Sequence, residues 1–193
     1  MLHRIFLAIN LPSEIKKRLL NYQKNWQNLP CRWTKPENLH ITLLFLGNLD
    51  DNQLSETIKI SQEVAKRHNP FLIELKKICY GPPNKKPPKM VWVEGKLNQE
   101  LAELQKDLED SIFQLDSYKY KAGKQKEARP YRPHITLARI KQWEFRRLED
   151  RPEINEDINL SFEVESFEIM ESFLKRSGAE YEILETIPLK DNI

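Results

Sequence analysis

The 193-residue chain lacks any long hydrophobic run, and its longest nearly apolar stretch, 41–46, contains a threonine. A membrane-spanning helix needs roughly 18 to 20 apolar residues, so no membrane span is expected. The first apolar run, 5–9, ends at a polar asparagine and lacks the length and cleavage site of a secretory signal. We therefore expect a cytoplasmic protein with no membrane partner.

Cysteine is also scarce, since Cys31 and Cys79 are the only two and neither lies in a CxxC or Cys/His cluster. In a chain without an export signal, two isolated cysteines indicate buried thiols rather than a disulfide framework or a zinc site. The sequence therefore predicts neither a structural metal nor a cofactor.

The chain carries no excess of one charge: 31 Lys and Arg stand against 29 Asp and Glu, a net of +2. The distribution is uneven, because residues 144–193 sum to −8 and residues 1–143 to +10. Basic runs at 76–89 and 119–132 can attract phosphates, although each can equally be a solvated loop. We expect the positive part to surround the functional cleft and the acidic tail to face away from it.

The hydrophobic pattern mixes strands and helices without strict alternation. It predicts strands at 5–9, 39–46, 71–75, 90–94, 134–140, 160–171 and 181–189, and helices at 15–26, 50–67 and 97–115. Four prolines make the segment 81–89 a loop. This order favours an α+β fold with largely antiparallel sheets, in one domain that spans 1–193.

One tetrapeptide occurs twice: His40-Ile41-Thr42-Leu43 is repeated at His134-Ile135-Thr136-Leu137. Each copy opens an apolar strand, where side chains two residues apart share a face. Histidine and threonine therefore project together. If two related lobes pack with these strands side by side, two imidazoles and two hydroxyls meet in one cleft.

Two histidines suit general acid–base chemistry, because a pKa near 6.5 allows one ring to be neutral while the other is protonated. Hydrolysis of a phosphodiester needs such a pair, one to deprotonate water and one to protonate the departing oxygen. Threonine hydroxyls can hold the phosphate oxygens. A two-histidine metal site is the competing interpretation, but no further Asp, Glu or Cys ligand stands near either motif.

The chain resembles the two-histidine (2H) phosphoesterases, and among them the LigT-like RNA 2′,3′-cyclic phosphodiesterases. The resemblance covers nearly the whole chain and extends well beyond the two His-x-Thr-x motifs. The matching segments are 4–9 (RIFLAI), 33–47 (WTKPENLHITLLFLG), 91–93 (VWV), 129–139 (RPYRPHITLAR) and 171–174 (ESFL) followed by Tyr181.

This resemblance implies a bilobal fold, with two mainly antiparallel sheets flanked by helices and one motif in each of two pseudo-symmetric lobes beside a central cleft. It also implies hydrolysis of a terminal 2′,3′-cyclic phosphate on RNA to a 2′-phosphomonoester, without a metal. His40 is the implied proton donor and His134 the implied acceptor, while Thr42 and Thr136 hold the phosphate. From the sequence alone the two histidines are interchangeable.

Three further residues are candidates for the cleft. Arg132, two residues before His134, can grip a phosphate or form a structural ion pair. Tyr131 and Phe6 can stack on a terminal base or pack in the core. We expect a monomer whose partners are RNA ends or small cyclic nucleotides. The alternatives are a non-catalytic RNA-end-binding module and a related phosphodiesterase for small cyclic nucleotides or 2′,5′-oligoadenylates.

Overall fold

The computed structural model describes residues 1–83, 85–115, 131–175 and 178–190. Its strands and helices, in chain order, are β1 His3–Asn10, α1 Ser13–Gln23, β2 Cys31–Trp33, β3 His40–Leu49, α2 Asp51–Ala65, β4 Phe71–Gly81, β5 Met90–Gly95, α3 Gln99–Phe113, β6 His134–Ile140, α4 Gln142–Arg146, β7 Asn155–Val164, β8 Ser166–Lys175 and β9 Gly178–Pro188. The α+β class predicted from the sequence is confirmed. No helix in these described ranges is long and apolar enough to cross a membrane.

The nine described strands form one antiparallel sheet in the order β7-β4-β5-β6-β3-β1-β8-β9, with β2 paired to β6. The two sheets expected from the resemblance are thus halves of one continuous sheet. They join at β3 and β6 through a single residue pair, Ile41 with Ile135. Because this pair lies inside both tetrapeptides, the junction of the halves is also where the motifs meet.

The two halves repeat the same register around each motif. The motif strand β3 pairs with β1 just as the motif strand β6 pairs with β5. The equivalent pairs are Asn10–His40 and Glu94–His134, Ala8–Thr42 and Trp92–Thr136, and Phe6–Phe45 and Met90–Arg139.

A β-bulge follows each motif and changes which side chains face the cleft. Residues 43–44 and residues 137–138 are consecutive and all buried, and both ladders shift register at this point. A bulge inserts one unpaired residue and so reverses the alternation beyond it. As a result Phe45 and Arg139, five residues after the histidines, share the face that carries His40 and His134.

The helices pack on the opposite face of the sheet. The apolar stripe of α3 is buried and joins one core with Ile15 and Leu19 of α1 and with the core-facing residues of β1; its members are Leu101, Leu104, Leu108 and Ile112. The helix begins later than the predicted residue 97, since Leu97 lies before it and is 97% exposed. Helix α2 begins with a capping box, in which Asp50 accepts from the Gln53 backbone and the Gln53 side chain accepts from the Asp50 backbone. Such a cap is worth about 1 kcal/mol.

The C-terminal third differs from the prediction. The single strand expected at 160–171 is two strands, β7 and β8, which turn at Glu165. The carbonyl of Glu165 accepts from the backbone N–H of Leu189, so the turn is held by the end of the chain. The apolar alternation changes phase at this turn, from even positions up to Val164 to odd positions from Phe167, and a single strand counted through 160–171 passes over that change. Strand β2 and helix α4 were not predicted.

Candidate active site

Both histidines are fixed in the same way by the turn before their strand. His40 Nδ1 donates to the carbonyl of Asn38 at 2.8 Å, and His134 Nδ1 donates to the carbonyl of Arg132 at 2.9 Å. A carbonyl oxygen can only accept, so each neutral ring carries its hydrogen on Nδ1. Each Nε2 is left as the reactive nitrogen, and that of His40 lies 3.0 Å from Thr42 Oγ1.

The pair of Ile41 with Ile135 brings the two motifs together. In an antiparallel ladder, the residue before Ile41 lies across from the residue after Ile135, and the reverse. His40 therefore lies across from Thr136, and Thr42 lies across from His134. The four predicted side chains therefore lie on one face of the sheet, on both sides of that pair. The charge of His134 also lowers the pKa of His40, which indicates that the two rings are close.

An aromatic cluster surrounds His40. The ring of Phe6 lies 5.2 Å from His40, and Tyr181 lies 5.3 Å from it in an edge-on arrangement. Phe6 is only 2% exposed, so burial favours core packing, one of the two roles considered for it, and its ring lies against His40. The exposed ring is the neighbouring Phe45, which is 71% exposed and 5.8 Å from Phe6.

His134 is supported by an indole. The Trp92 ring stacks on His134 with centroids 3.8 Å apart and an interplanar angle of 24°. Behind Trp92 lies Gly81, where an added Cβ would come within 2.2 Å of the indole. Only a glycine at position 81, the last residue of β4, therefore leaves room for the Trp92 indole in its observed position.

Burial dominates the electrostatics of both imidazoles. It lowers the pKa of His40 to about 4, with further lowering by the charges of His134, Lys16 and Arg139 and opposition from the hydrogen bond to Asn38. Burial also lowers the pKa of His134, where Arg139 acts in the same direction. The positive charge of Arg139 thus lowers the pKa of both histidines.

Two acids lie on the cleft face. Glu94, opposite His134 in the register, raises the pKa of that histidine. Glu168 is 7% exposed, accepts from the backbone N–H of Asn10 at 2.9 Å, and has its pKa raised by burial. The expectation that the acidic tail faces away from the cleft is wrong for Glu168, which lies opposite Ala8 next to the His40 strand.

The residues just before the second motif act through the backbone and a hydroxyl. The Arg132 side chain is exposed, and what the structure ties to the site is its carbonyl, which accepts from His134. The Tyr131 hydroxyl donates to the carbonyl of Thr42 at 2.9 Å, and burial raises the pKa of this phenol. Its ring packs against the core, one of the two roles considered for Tyr131, and its hydroxyl joins the two motif segments.

The other two histidines of the chain have acidic partners. His3 binds Glu171 and Asp51, and His68 binds Asp107. Within the described ranges, no three or more His, Cys, Asp or Glu side chains form a group that could hold a metal ion. Residues 119–130 of the second basic run lie outside the described residues.

Sequence reasoning missed Arg139 and Phe45 as cleft residues. Strict alternation from His134 places Arg139 on the opposite face, and the same holds for Phe45 counted from His40. One sequence signal could have found them. In both strands two adjacent apolar residues, 43–44 and 137–138, follow the His-x-Thr motif, and such a pair breaks strict alternation and indicates a bulge.

Comparison with known proteins finds the same two halves. The family model described as LigT like Phosphoesterase matches the chain twice, at residues 9–92 and 93–181. The chain is 31% identical to the RNA 2′,3′-cyclic phosphodiesterase of Methanocaldococcus jannaschii over 94% of its own length and 98% of that protein. It is 33% identical to the enzyme of the same name from Bacillus subtilis, over 69% of each chain.

Solved structures share the fold. A crystal structure of a Thermus thermophilus protein matches with a TM-score of 0.85 and 26% identity, over 98% of this chain and all of that one. E. coli LigT complexed with 3′-AMP matches with a TM-score of 0.76 and 21% identity, over 99% of this chain and all of that one.

Proposed function

The chain belongs to the LigT-like phosphoesterase family of two-histidine phosphoesterases, and we propose that it opens terminal 2′,3′-cyclic phosphates on RNA to 2′-phosphomonoesters by metal-independent His/His catalysis. The observation that carries this proposal is the matched pair of imidazoles, each pinned through Nδ1 so that Nε2 faces the same cleft. The names of the curated relatives supply the substrate class.

In the proposed reaction, neutral His134 accepts a proton from water through Nε2 as the water oxygen bonds to phosphorus. The bond from phosphorus to the 3′ oxygen breaks, and protonated His40 donates its Nε2 proton to that oxygen. The 2′ oxygen keeps the phosphate. Proton exchange with solvent then restores the starting state, so atoms and charge balance. The assignment of donor and acceptor follows the family resemblance.

The threonines and a cation are placed to hold the phosphate. Thr42 Oγ1 lies 3.0 Å from His40 Nε2. A phosphate oxygen that enters here can accept a hydrogen bond from the Thr42 hydroxyl in place of the histidine nitrogen. Thr136 occupies the equivalent register position in the other half. Arg139 lies near enough to both rings to lower their pKa, and it supplies positive charge beside the oxygens that become more negative during attack. The guanidinium of Arg132 belongs to the proposal as a second cation at the entrance.

We also propose that the chain acts as a single bilobal unit over 1–193, as a cytoplasmic monomer. The repeated register of the two sheet halves and the double match of the family model support two related lobes. Each lobe supplies one histidine, so both lobes are needed for turnover. Light scattering coupled to gel filtration tests the monomer.

The test is to incubate the protein with an oligonucleotide that ends in a 2′,3′-cyclic phosphate, in the presence of EDTA. We expect full turnover and a 2′-phosphate product, and a loss of at least about 100-fold in His40→Ala and His134→Ala, the range typical of a general acid or base. Loss of activity on chelation would contradict the metal-free mechanism, and full activity in either variant would contradict the site.

The same assay separates the alternatives. A non-catalytic RNA-end-binding module gives salt-sensitive binding without product. A preference for a small cyclic nucleotide or for 2′,5′-oligoadenylate over the cyclic-ended oligonucleotide would replace the proposed substrate and leave the site intact.

A further inference from the structure

A second concave site lies away from the two histidines. It is a cavity of about 480 Å³ between the loop before β5, helix α4 and the segment before β7. The partly buried Tyr80 lines it, and the ring of Phe145, which is 2% exposed, lies behind Tyr80 and meets it edge to face with centroids 5.9 Å apart. Small-ligand sites typically measure about 300–1,000 Å³, so the cavity has room for a nucleotide.

The rim of this cavity is cationic. Lys86, Arg146 and Arg151 line it together with three prolines, and the described lining includes no acid. The guanidinium of Arg151 lies 5.7 Å from the centre of the Phe145 ring and donates to the carbonyl of Arg146 at 3.4 Å. An apolar wall of proline and tyrosine with positive charges at its edge suits a nucleotide, with the phosphate at the cations and the base against the wall.

Helix α4 extends the same surface. Trp143 is 66% exposed, and the Arg147 guanidinium lies 3.5 Å from the centre of its ring. Residues three and four apart on a helix are neighbours, so Trp143 lies beside both Arg146 and Arg147. Arg147 covers one face of this exposed indole, and the other face is a platform for a base in a single strand.

Strand β6 connects this surface to the candidate active site. His134 begins the strand and Ile140 ends it, and Gln142, at the start of α4, donates from Nε2 to the carbonyl of Pro88 at the edge of the cavity. The six steps from His134 to Ile140, at about 3.3 Å per residue, give a separation of roughly 20 Å. Met90 lies on the way, with its sulfur 4.0 Å from Thr136 Oγ1 and 3.8 Å from Arg139 Nη1.

We propose that this cavity and Trp143 form a second RNA-binding site, which holds the single-stranded body of the substrate upstream of the end at His40 and His134. The identity of the ligand as RNA rests on the proposed function. With stacked bases spaced about 3.4 Å apart the gap corresponds to about six nucleotides, and to fewer in an extended strand. The site thus accounts for the basic, proline-rich loop 81–89, which the hydrolytic chemistry does not use.

The test compares kcat/KM for cyclic-ended RNA of one, three, six and twelve nucleotides. The wild type is expected to gain with length up to about six nucleotides, the span estimated along β6. The variants Arg146→Gln/Arg151→Gln and Trp143→Ala lose that gain and keep the turnover of the cyclic mononucleotide. Removing two phosphate contacts also lowers the salt slope for the twelve-mer by about 1.4, at about 0.7 per contact on a single strand.

Two controls keep this inference separate from the proposed function. The double variant Lys59→Gln/Lys106→Gln removes the same charge from exposed positions on α2 and α3, and it should behave as the wild type. Anisotropy of a labelled twelve-mer with a plain 3′-hydroxyl measures binding without turnover, and it should weaken at least about 5-fold in both cavity variants.

Equal length dependence in wild type and cavity variants, or equal binding of the 3′-hydroxyl twelve-mer, would overturn the second site. So would displacement of that RNA by a phosphoserine peptide as readily as by unlabelled RNA. Failure to turn over any cyclic phosphate, with RNA binding that still depends on Arg146 and Arg151, would overturn the proposed function and leave this site standing.

Discussion

Trp92 stacks on His134 at 3.8 Å, so the imidazole proposed to activate water is held flat against a buried indole. The same imidazole donates through Nδ1 to the carbonyl of Arg132. A ring held by one hydrogen bond can still rotate about it, and the indole removes this freedom. Trp92 is therefore a positioning residue for the second histidine.

We predict that Trp92→Leu lowers kcat by about 10- to 100-fold, because a misplacement near 1 Å can cost about that much. Trp92→Phe keeps an aromatic ring and should lose less. Both are measured with a cyclic mononucleotide, so that binding at a distance plays no part. Denaturant unfolding accompanies the assay, since removing a large buried ring costs about 3–5 kcal/mol. Unchanged kcat in folded Trp92→Leu would show that the stack has no positioning role.

Gly81→Ala is predicted to lower kcat although Gly81 touches no substrate. The new Cβ would lie 2.2 Å from the Trp92 indole, so the indole must tilt and His134 must follow. We expect a loss of about 10-fold in kcat with little change in KM. The control is a double-mutant cycle with Trp92→Leu: if the effect runs through the indole, adding Gly81→Ala to that variant costs almost nothing more. Additive losses would contradict the route.

The fold and the motif pair could be predicted from sequence, and the shape of the cleft could not. Strand β6 was predicted at its observed bounds, because its apolar alternation and its proline boundary are local signals. The β-bulge is not a local signal: it depends on the register against β1 and β5. The alternation rule therefore does not find Phe45 and Arg139. Whether Phe6 is buried was likewise open in the sequence, where base stacking and core packing were both possible. Helix α4 was hidden in an acidic connection, since five residues are too few to show a helical period.

Phe45 and Arg139 occupy equivalent positions in the two halves, one an exposed ring and the other a cation. The two halves of the site therefore differ at this position: the His40 half offers an aromatic ring and the His134 half a positive charge. We predict that the terminal base stacks on the ring, on the His40 side. Phe45→Ala should raise KM for a cyclic mononucleotide by about 5- to 150-fold, because stacking is worth about 1–3 kcal/mol per base. With 71% exposure, the ring adds little to stability.

The matched variant Phe45→Trp keeps a stacking face and should retain a KM close to that of the wild type. Unfolding in urea should be nearly unchanged in both variants. A fall in kcat at constant KM in Phe45→Ala would assign the ring to positioning of His40 through Phe6, and the base-stacking prediction would be lost.

The depressed pKa values predict how pH controls anion binding. In the free protein His40 has a pKa of about 4, so at neutral pH the ring is uncharged and the proposed acid lacks its proton. A bound anion favours the protonated ring and raises this pKa. Between the free and the bound pKa, binding takes up a proton. Affinity is therefore fully present below about pH 4 and falls as pH rises above it, by up to about 10-fold per unit.

Sulfate is a suitable probe, because its own charge is constant over this range. We expect its competitive inhibition constant to rise with pH from about 4 upward in the wild type, and His40→Gln to flatten that dependence. The bell of kcat/KM, which reports the free enzyme, should lie on the acid side of the bell of kcat, which reports the complex. The pH profile of kcat lies at higher pH because the bound anion raises the pKa of His40, and the anion is present only in the complex. Coincident bells, or a sulfate affinity independent of pH in the wild type, would contradict a buried neutral His40 that charges on binding.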